Sequence, residues 1–127
     1  MHINSISSVT YYVADIEETA KFYEALGFRM GKQESDSLIV YVNWLGITFR
    51  TKDAAGVEEF KSEFDQSPKG TGNFLNMKVV SAGKAYIEAV AAGIKPTSEP
   101  QDKPWGSREF VIVDPDGYKL VFFEKTK

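Results

Sequence analysis

Short apolar stretches separated by polar turns run the length of the chain. Their spacing switches between the two-residue period of strands and the longer period of helices. Ser8 to Val13 (SVTYYV) is β-branched and aromatic, which predicts a strand. Asp15 then caps a helix, with Glu18 three residues on in the manner of a capping box. Ile16, Ala20, Tyr23 and Leu26 recur at helical spacing, and Gly27 ends the helix by taking a left-handed backbone. Further strands are expected over Phe28 to Gln33, Ser37 to Val42 and Gly46 to Thr51, with a turn at Asn43 to Gly46. The first half reads strand, helix, strand, strand, strand.

Lys52 to Gly72 interrupts this pattern with many charges and then SPKGTG, which is turn and linker chemistry. Phe60 and Phe64 lie four apart and predict a short amphipathic helix inside it, with a mobile lid as the alternative. The pattern then returns. Phe74 to Val80 predicts a strand, Ser81 caps a helix with apolar positions Tyr86, Ile87 and Val90, and Gly93 ends it. Ile94 to Thr97 is expected as a short strand. Glu109 to Val113 and Tyr118 to Glu124 follow, joined by Asp114-Pro115-Asp116-Gly117, whose Pro and Gly suit a type I turn.

The second half repeats the first. An offset of 66 (93 minus 27) relates Gly27 to Gly93, Asp15 to Ser81 and Val13 to Val79. An offset of 71 (117 minus 46) relates Gly46 to Gly117, Val42 to Val113 and Asn43 to Asp114. The Pro-containing loop from Ser98 to Trp105 is expected to absorb the difference. Matching caps, glycines and strand ends mark an internal repeat rather than a chance likeness of patterns.

A chain of 127 residues is long enough to bury a core, and one domain over residues 1–127 is expected. The net charge of −3, without any Lys/Arg run, argues against nucleic acid as a partner. No apolar run approaches the roughly 20 residues of a membrane span, and Met1 to Ser8 lacks the layout of a signal peptide. With no cysteine there is neither a disulfide framework nor thiolate chemistry, so a cytoplasmic location is expected. Aromatic residues make up 13%, enough both to fill a β-rich core and to line a ligand cavity.

Two stretches carry a family resemblance: VADIEETAKFYEALGF (Val13 to Phe28) and PWGSREFVIVDPDGYKLVFF (Pro104 to Phe123). Their V-x-D, FY, LGF, W-G, R-x-F and DPDG elements resemble the vicinal oxygen chelate superfamily, the glyoxalase, bleomycin-resistance and extradiol-dioxygenase group. The resemblance covers nearly the whole chain and implies an α+β fold. Two βαβββ modules would form curled mixed sheets around a shared cavity, in a homodimer. Module one would span about residues 5–52, the connector about 53–72 and module two about 73–127.

Strand alternation then separates an inward face from a helix-facing one. Val9, Tyr11 and Val13 are expected toward the helix, with Ser8, Thr10 and Tyr12 toward the cavity. Phe74, Asn76 and Lys78 are their counterparts in the second half. Thr48 and Arg50 are expected inward, matched by Lys119 and Val121. A register slip of one would exchange the faces.

Metal-dependent members of the superfamily carry His, Glu or Gln at four inward positions. The resemblance places these at Ser8, Arg50, Phe74 and Val121, and none of the four is a usual divalent-metal ligand. Shifting the register by one does not restore a donor set, and the one histidine is His2, near the terminus. A metal-free site with no cofactor is therefore expected. Nucleophilic catalysis is not favoured either, because no cysteine and no His-paired serine is apparent.

The expected ligand-binding residues are Ser8, Thr10, Tyr12, Arg50, Phe74, Asn76, Trp105, Val121 and Phe123, with Lys78 or Lys119 as a further polar point. Trp105 is either a plug in the core or a stacking surface at the cavity mouth. Trp44 is expected at a contact between modules or subunits. Arg50 either meets Glu109 or Glu124 internally or binds an anionic ligand group. Arg108 and Glu109 are expected as an exposed pair.

The leading reading is a metal-free small-molecule-binding protein that sequesters an antibiotic or another aromatic or charged ligand. The cavity would lie between modules or subunits. A glyoxalase-like lyase or isomerase, or a dioxygenase-type enzyme, is the alternative, and a protein-interaction role the third. Antibiotic resistance as a function follows only from the resemblance.

Overall fold

The computed structural model describes residues 1–54 and 58–127. They form two compact units, Met1–Gln66 and Ser67–Lys127, each ordered strand, helix, strand, strand, strand. The fold class is α+β, with one open four-stranded mixed sheet per unit.

In the first unit the elements are β1 (Ser8–Tyr12), α1 (Ile16–Ala25), β2 (Arg29–Gln33), β3 (Ser37–Val42) and β4 (Leu45–Arg50). The sheet order is β1-β4-β3-β2, with β1 parallel to β4 and the other neighbours antiparallel. Asp15 caps α1, its Oδ1 accepting from the Glu18 N–H at 3.0 Å, and Gly27 leaves the helix at φ 91°. Alternation along β1 sends Tyr11 and Val13 into the core with Ile47 and Phe49. The buried face of α1 supplies Ile16, Thr19 and Tyr23. The Tyr23 ring lies 4.7 Å from that of Phe49 and 5.1 Å from that of Phe28, so three aromatics lock helix to sheet.

The β3–β4 turn is shorter than the four residues expected, and Asn43 occupies it at φ 53°. Asn tolerates this region better than branched residues because its short amide side chain bonds locally. Trp44 beside it is exposed. The connector begins with helical turns at Lys52–Ala54 and Glu58–Asp65. They are the tighter 3₁₀ form rather than an α-helix; Phe60 is half exposed, and Phe64 meets the Tyr12 ring at 6.2 Å.

The second unit contains β5 (Phe74–Lys78), α2 (Ala82–Ala91), β6 (Gln101–Lys103), β7 (Ser107–Val113) and β8 (Lys119–Lys125), in sheet order β5-β8-β7-β6. Ser81 caps α2 through a 3.1 Å bond from the Lys84 N–H, and Gly93 exits at φ 86°. Phe110 is the core of this unit. It stacks on Phe122 at 5.3 Å and takes the edge of Tyr86 at 5.6 Å. The turn after β7 forms as expected. The Gly117 N–H donates to the Asp114 carbonyl, and the buried Asp114 Oδ1 accepts from the N–H groups of Asp116 and Tyr118.

Three expectations are corrected. The short strand lies at Gln101–Lys103, not at Ile94 to Thr97. Pro96 has no N–H to give a ladder, so Thr97 makes only bonds to the Val111 carbonyl before the chain turns off. On α2, Ile87 and Val90 face solvent while the smaller Ala82 and Ala89 are buried. The repeat also runs differently at its end. Gly46 faces Ser8 and Lys119 faces Phe74, so the last strands are related by 73 (119 minus 46) rather than 71. The β7–β8 link has five residues where the β3–β4 link has two. Thr48 therefore corresponds to Val121, and Arg50 to Phe123. The 66 offset holds for β1 against β5 and for α1 against α2. No helix among the described residues is long and apolar enough to cross a membrane.

Candidate functional site

The second unit's sheet has one face against α2 and one open face. Register places Asn76 beside Val121, Lys78 beside Phe123, and Ser107 between Lys103 and Lys125 on that open face. A pocket of about 370 Å³ opens there. Its walls come from Asn76 of β5 and Phe123 and Lys125 of β8, and from Ser107 and Glu109 of β7. Trp105, Gly106 and Lys127 close one side.

Trp105 owes its position to a tight turn. The Gly106 N–H donates to the Lys103 carbonyl, closing the β6–β7 hairpin, and Gly106 adopts φ 88°. The Thr126 N–H in turn donates to the Gly106 carbonyl, tying the end of β8 to the hairpin tip. The indole is 69% exposed, yet its Nε1–H donates to Glu109 Oε2 at 2.8 Å. The buried Ser107 hydroxyl donates to the same oxygen at 2.5 Å. A broad apolar ring is thus held in one orientation at the pocket wall before any ligand arrives. Preorganisation of this kind reduces the ordering cost of binding.

The Glu109 carboxyl is held below the usual carboxylate range, chiefly by the Ser107 hydrogen bond. Burial opposes that shift; the Trp105 hydrogen bond and the positive field of Lys103 add to it. Across the hairpin, Arg108 pairs with Asp102 at 2.7 Å, which lowers the Asp102 pKa and raises that of Arg108. Glu124 Oε1 accepts from the Ala82 N–H at the start of α2 and lies 3.9 Å from Arg108. Arg108 and Glu109 therefore point to opposite faces of β7 with separate partners, and they are not the mutual pair expected.

The expected site residues divide between the two units. Asn76, Trp105 and Phe123 come together in the pocket. Val121 is buried on the same sheet face, and Phe74, at the far end of β5, is exposed with Lys119 Nζ 5.2 Å from its ring centre. Lys119 also donates to the Gly70 carbonyl. Ser8, Thr10, Tyr12 and Arg50 belong to the first unit, on one face of its sheet through the pairs Ser8–Gly46, Thr10–Thr48 and Tyr12–Arg50. Arg50 Nη1 donates to the Ala54 carbonyl at 3.1 Å. The acids expected to meet it, Glu109 and Glu124, have the partners described above.

A family profile described as the glyoxalase/bleomycin resistance protein/dioxygenase superfamily matches residues 5–122. The chain belongs to this superfamily. Curated relatives named bleomycin resistance protein, from Geobacillus stearothermophilus and Staphylococcus aureus, are each 27% identical over 125 residues. That alignment covers 91% of this chain and 92% of each relative. Among solved structures, a glyoxalase/bleomycin resistance protein/dioxygenase from Nocardioides superposes with a TM-score of 0.82 at 19% identity. It covers 100% of this chain and 87% of its own. A bleomycin resistance determinant encoded on the transposon Tn5 has a TM-score of 0.70 at 21% identity, covering 98% and 100%. These structures are evidence of a shared fold.

The metal that parts of the superfamily employ does not fit the residues here. Phe74 and Val121 have no donor atom, Arg50 is a cation bonded to a carbonyl, and Ser8 alone offers a hydroxyl. The corrected register puts Thr48 opposite Val121 in the repeat, which adds only a second hydroxyl. Among the described residues no group of three or more His, Cys, Asp or Glu side chains is placed to hold an ion.

Ser107, Glu109, Lys125 and Lys127 are pocket residues that the sequence reading missed. Their signal was the two-residue alternation itself. Ser107 and Glu109 share a face of β7, and Phe123 and Lys125 share a face of β8.

Proposed function

We propose that this protein binds a planar, ring-containing small molecule on the open face of the second unit without a metal ion, and sequesters it. The observation that carries this reading is Trp105, an exposed indole fixed by Glu109 at the wall of a pocket whose other ring is Phe123. Flat rings of this kind supply large contact area at little conformational cost. The relatives named bleomycin resistance protein make an antibiotic the first ligand to test. The superfamily resemblance adds a homodimer as the working form, which sedimentation checks directly.

Ser107 and Glu109 have the outline of a nucleophile with its base, yet the chemistry runs the other way. A general base working near neutral pH needs a raised carboxyl pKa. That of Glu109 is lowered, and the Ser107 hydroxyl is buried. The pair is suited to holding Trp105.

The test is a titration of metal-free bleomycin into Trp44→Phe protein, leaving Trp105 as the fluorescent reporter. Saturable quenching is the expected result, and isothermal titration calorimetry should show the binding weakened in Trp105→Ala. A flat titration in the intact protein rejects bleomycin as the ligand. Tight stoichiometric metal in dialysed protein by elemental analysis rejects the metal-free reading.

A further inference from the structure

The charges around the pocket do not follow the charge of the chain. The protein as a whole carries −3, yet the lining contains two lysines and one glutamate. Lys103 adds a third cation, since it is the direct cross-strand partner of Ser107, whose other neighbour is Lys125. The acid is already committed. Glu109 Oε2 takes both the Trp105 and the Ser107 hydrogen bonds.

The lysines are less committed, Lys103 acting on Glu109 only through its field. Among the described residues, Lys103, Lys125 and Lys127 make no ion pair within 4.0 Å. Lys127 is placed rather than trailing: a Cβ built on Gly106 would meet its Cβ and Cδ at 3.3 Å, so its stem lies against the hairpin tip. Unpaired cations on one face of an acidic protein create a local positive potential beside two aromatic walls, which attracts anions and repels cations.

We infer that the ligand of this pocket is a planar aromatic anion, its ring against Trp105 and Phe123 and its carboxylate, sulfonate or phosphate group toward Lys125 and its lysine neighbours. This rests on the binding role proposed above but names an anionic class for the same site, so tight binding of bleomycin, a cation, would support the binding role and count against this inference.

Three probes of one ring size separate charge from stacking: naphthalene-2-carboxylate, 2-naphthamide and 2-naphthylmethylammonium. The readout is the Trp105 indole N–H resonance in ¹⁵N-labelled Trp44→Phe protein. The carboxylate is expected to bind about twofold to fivefold more tightly than the amide, the scale of one partly exposed charged contact. Lys125→Gln should remove most of that advantage and leave the amide unchanged, and added salt should narrow it. Lys103→Gln provides a second variant with the same expectation. Equal binding of all three probes, or preference for the ammonium, overturns the inference while leaving the pocket reading intact. If none of the three moves the Trp105 resonance, the pocket reading fails with it.

Discussion

Glu109 is the residue whose removal tests the site most directly. Glu109→Ala deletes the acceptor of two hydrogen bonds, from Trp105 Nε1–H at 2.8 Å and from Ser107 Oγ at 2.5 Å. The two losses are unequal. Trp105 is mostly exposed, so water replaces its partner and the cost falls to about 0.5–1 kcal/mol. Ser107 is 5% exposed, so its hydroxyl is stranded at about 1–2 kcal/mol. The sum, about 1.5–3 kcal/mol, corresponds to a fall in Tm of roughly 5–12 °C for a chain of this size. Glu109→Gln keeps an amide oxygen as acceptor and loses only the charge, so it should cost about 1 kcal/mol.

The pH dependence supplies the sign. The folded pKa of Glu109 lies below its usual 4.5, so its contribution is fully present above that value. It is lost as pH falls through the lowered folded pKa. The stability gap between wild type and Glu109→Gln should therefore be constant near neutrality and close in acid, by urea denaturation at a series of pH values. The Trp105 indole N–H resonance should move in both variants. If Glu109→Ala matches wild type in stability and leaves that resonance in place, or if the gap widens on acidification, the account of a pinned indole is wrong.

Three other substitutions probe the scaffold. Phe110→Ala removes a ring 2% exposed that touches both Phe122 and Tyr86, and should cost about 3–5 kcal/mol by chemical denaturation; a loss under about 1 kcal/mol would mean the cluster is not the core. Glu124→Ala frees the Ala82 N–H at the start of α2, at about 1 kcal/mol. Hydrogen exchange should quicken in the first turn of that helix and not at its end. At Asn43, with φ 53°, Asn43→Gly should change stability by only a few tenths of a kcal/mol, whereas Asn43→Val should lose about 1–2 kcal/mol. Equal effects of the two would remove backbone strain as the reason for Asn there.

What could be read from the sequence is what local chemistry decides. The caps Asp15 and Ser81, the exits Gly27 and Gly93, and the Asp114–Gly117 turn act within a few residues, and all form as expected. What failed depended on partners distant in the chain. Gln-Asp-Lys contains no strong strand former, and β6 exists because β7 offers Ser107, Arg108 and Glu109 as partners. Ile87 and Val90 are apolar at helical spacing, yet the face of α2 that meets the sheet requires small residues, and Ala82 and Ala89 satisfy it. Trp105 stood out by its type. Its anchor did not, because a Glu beside an Arg reads as an ion pair until strand alternation is seen to send the two to opposite faces.

The repeat also shows how the two sheets differ at one equivalent pair of positions. In the first unit, Tyr12 and Arg50 are cross-strand partners at one end of the open face. The connector engages both: Phe64 packs on the Tyr12 ring and the Ala54 carbonyl takes the Arg50 guanidinium. Lys52 and Asp65, 3.6 Å apart, tie the two ends of that segment together. The corresponding pair in the second unit is Lys78 and Phe123. There Phe123 becomes a pocket wall beside Asn76. The β2–β3 and β6–β7 hairpins differ in the same sense. Each has a three-residue link, but the first carries Glu34, Ser35 and Asp36 where the second carries Pro104, Trp105 and Gly106. At this pair the first module is met by its own connector, and the duplicated module places Phe123 beside Lys125 in a pocket wall instead.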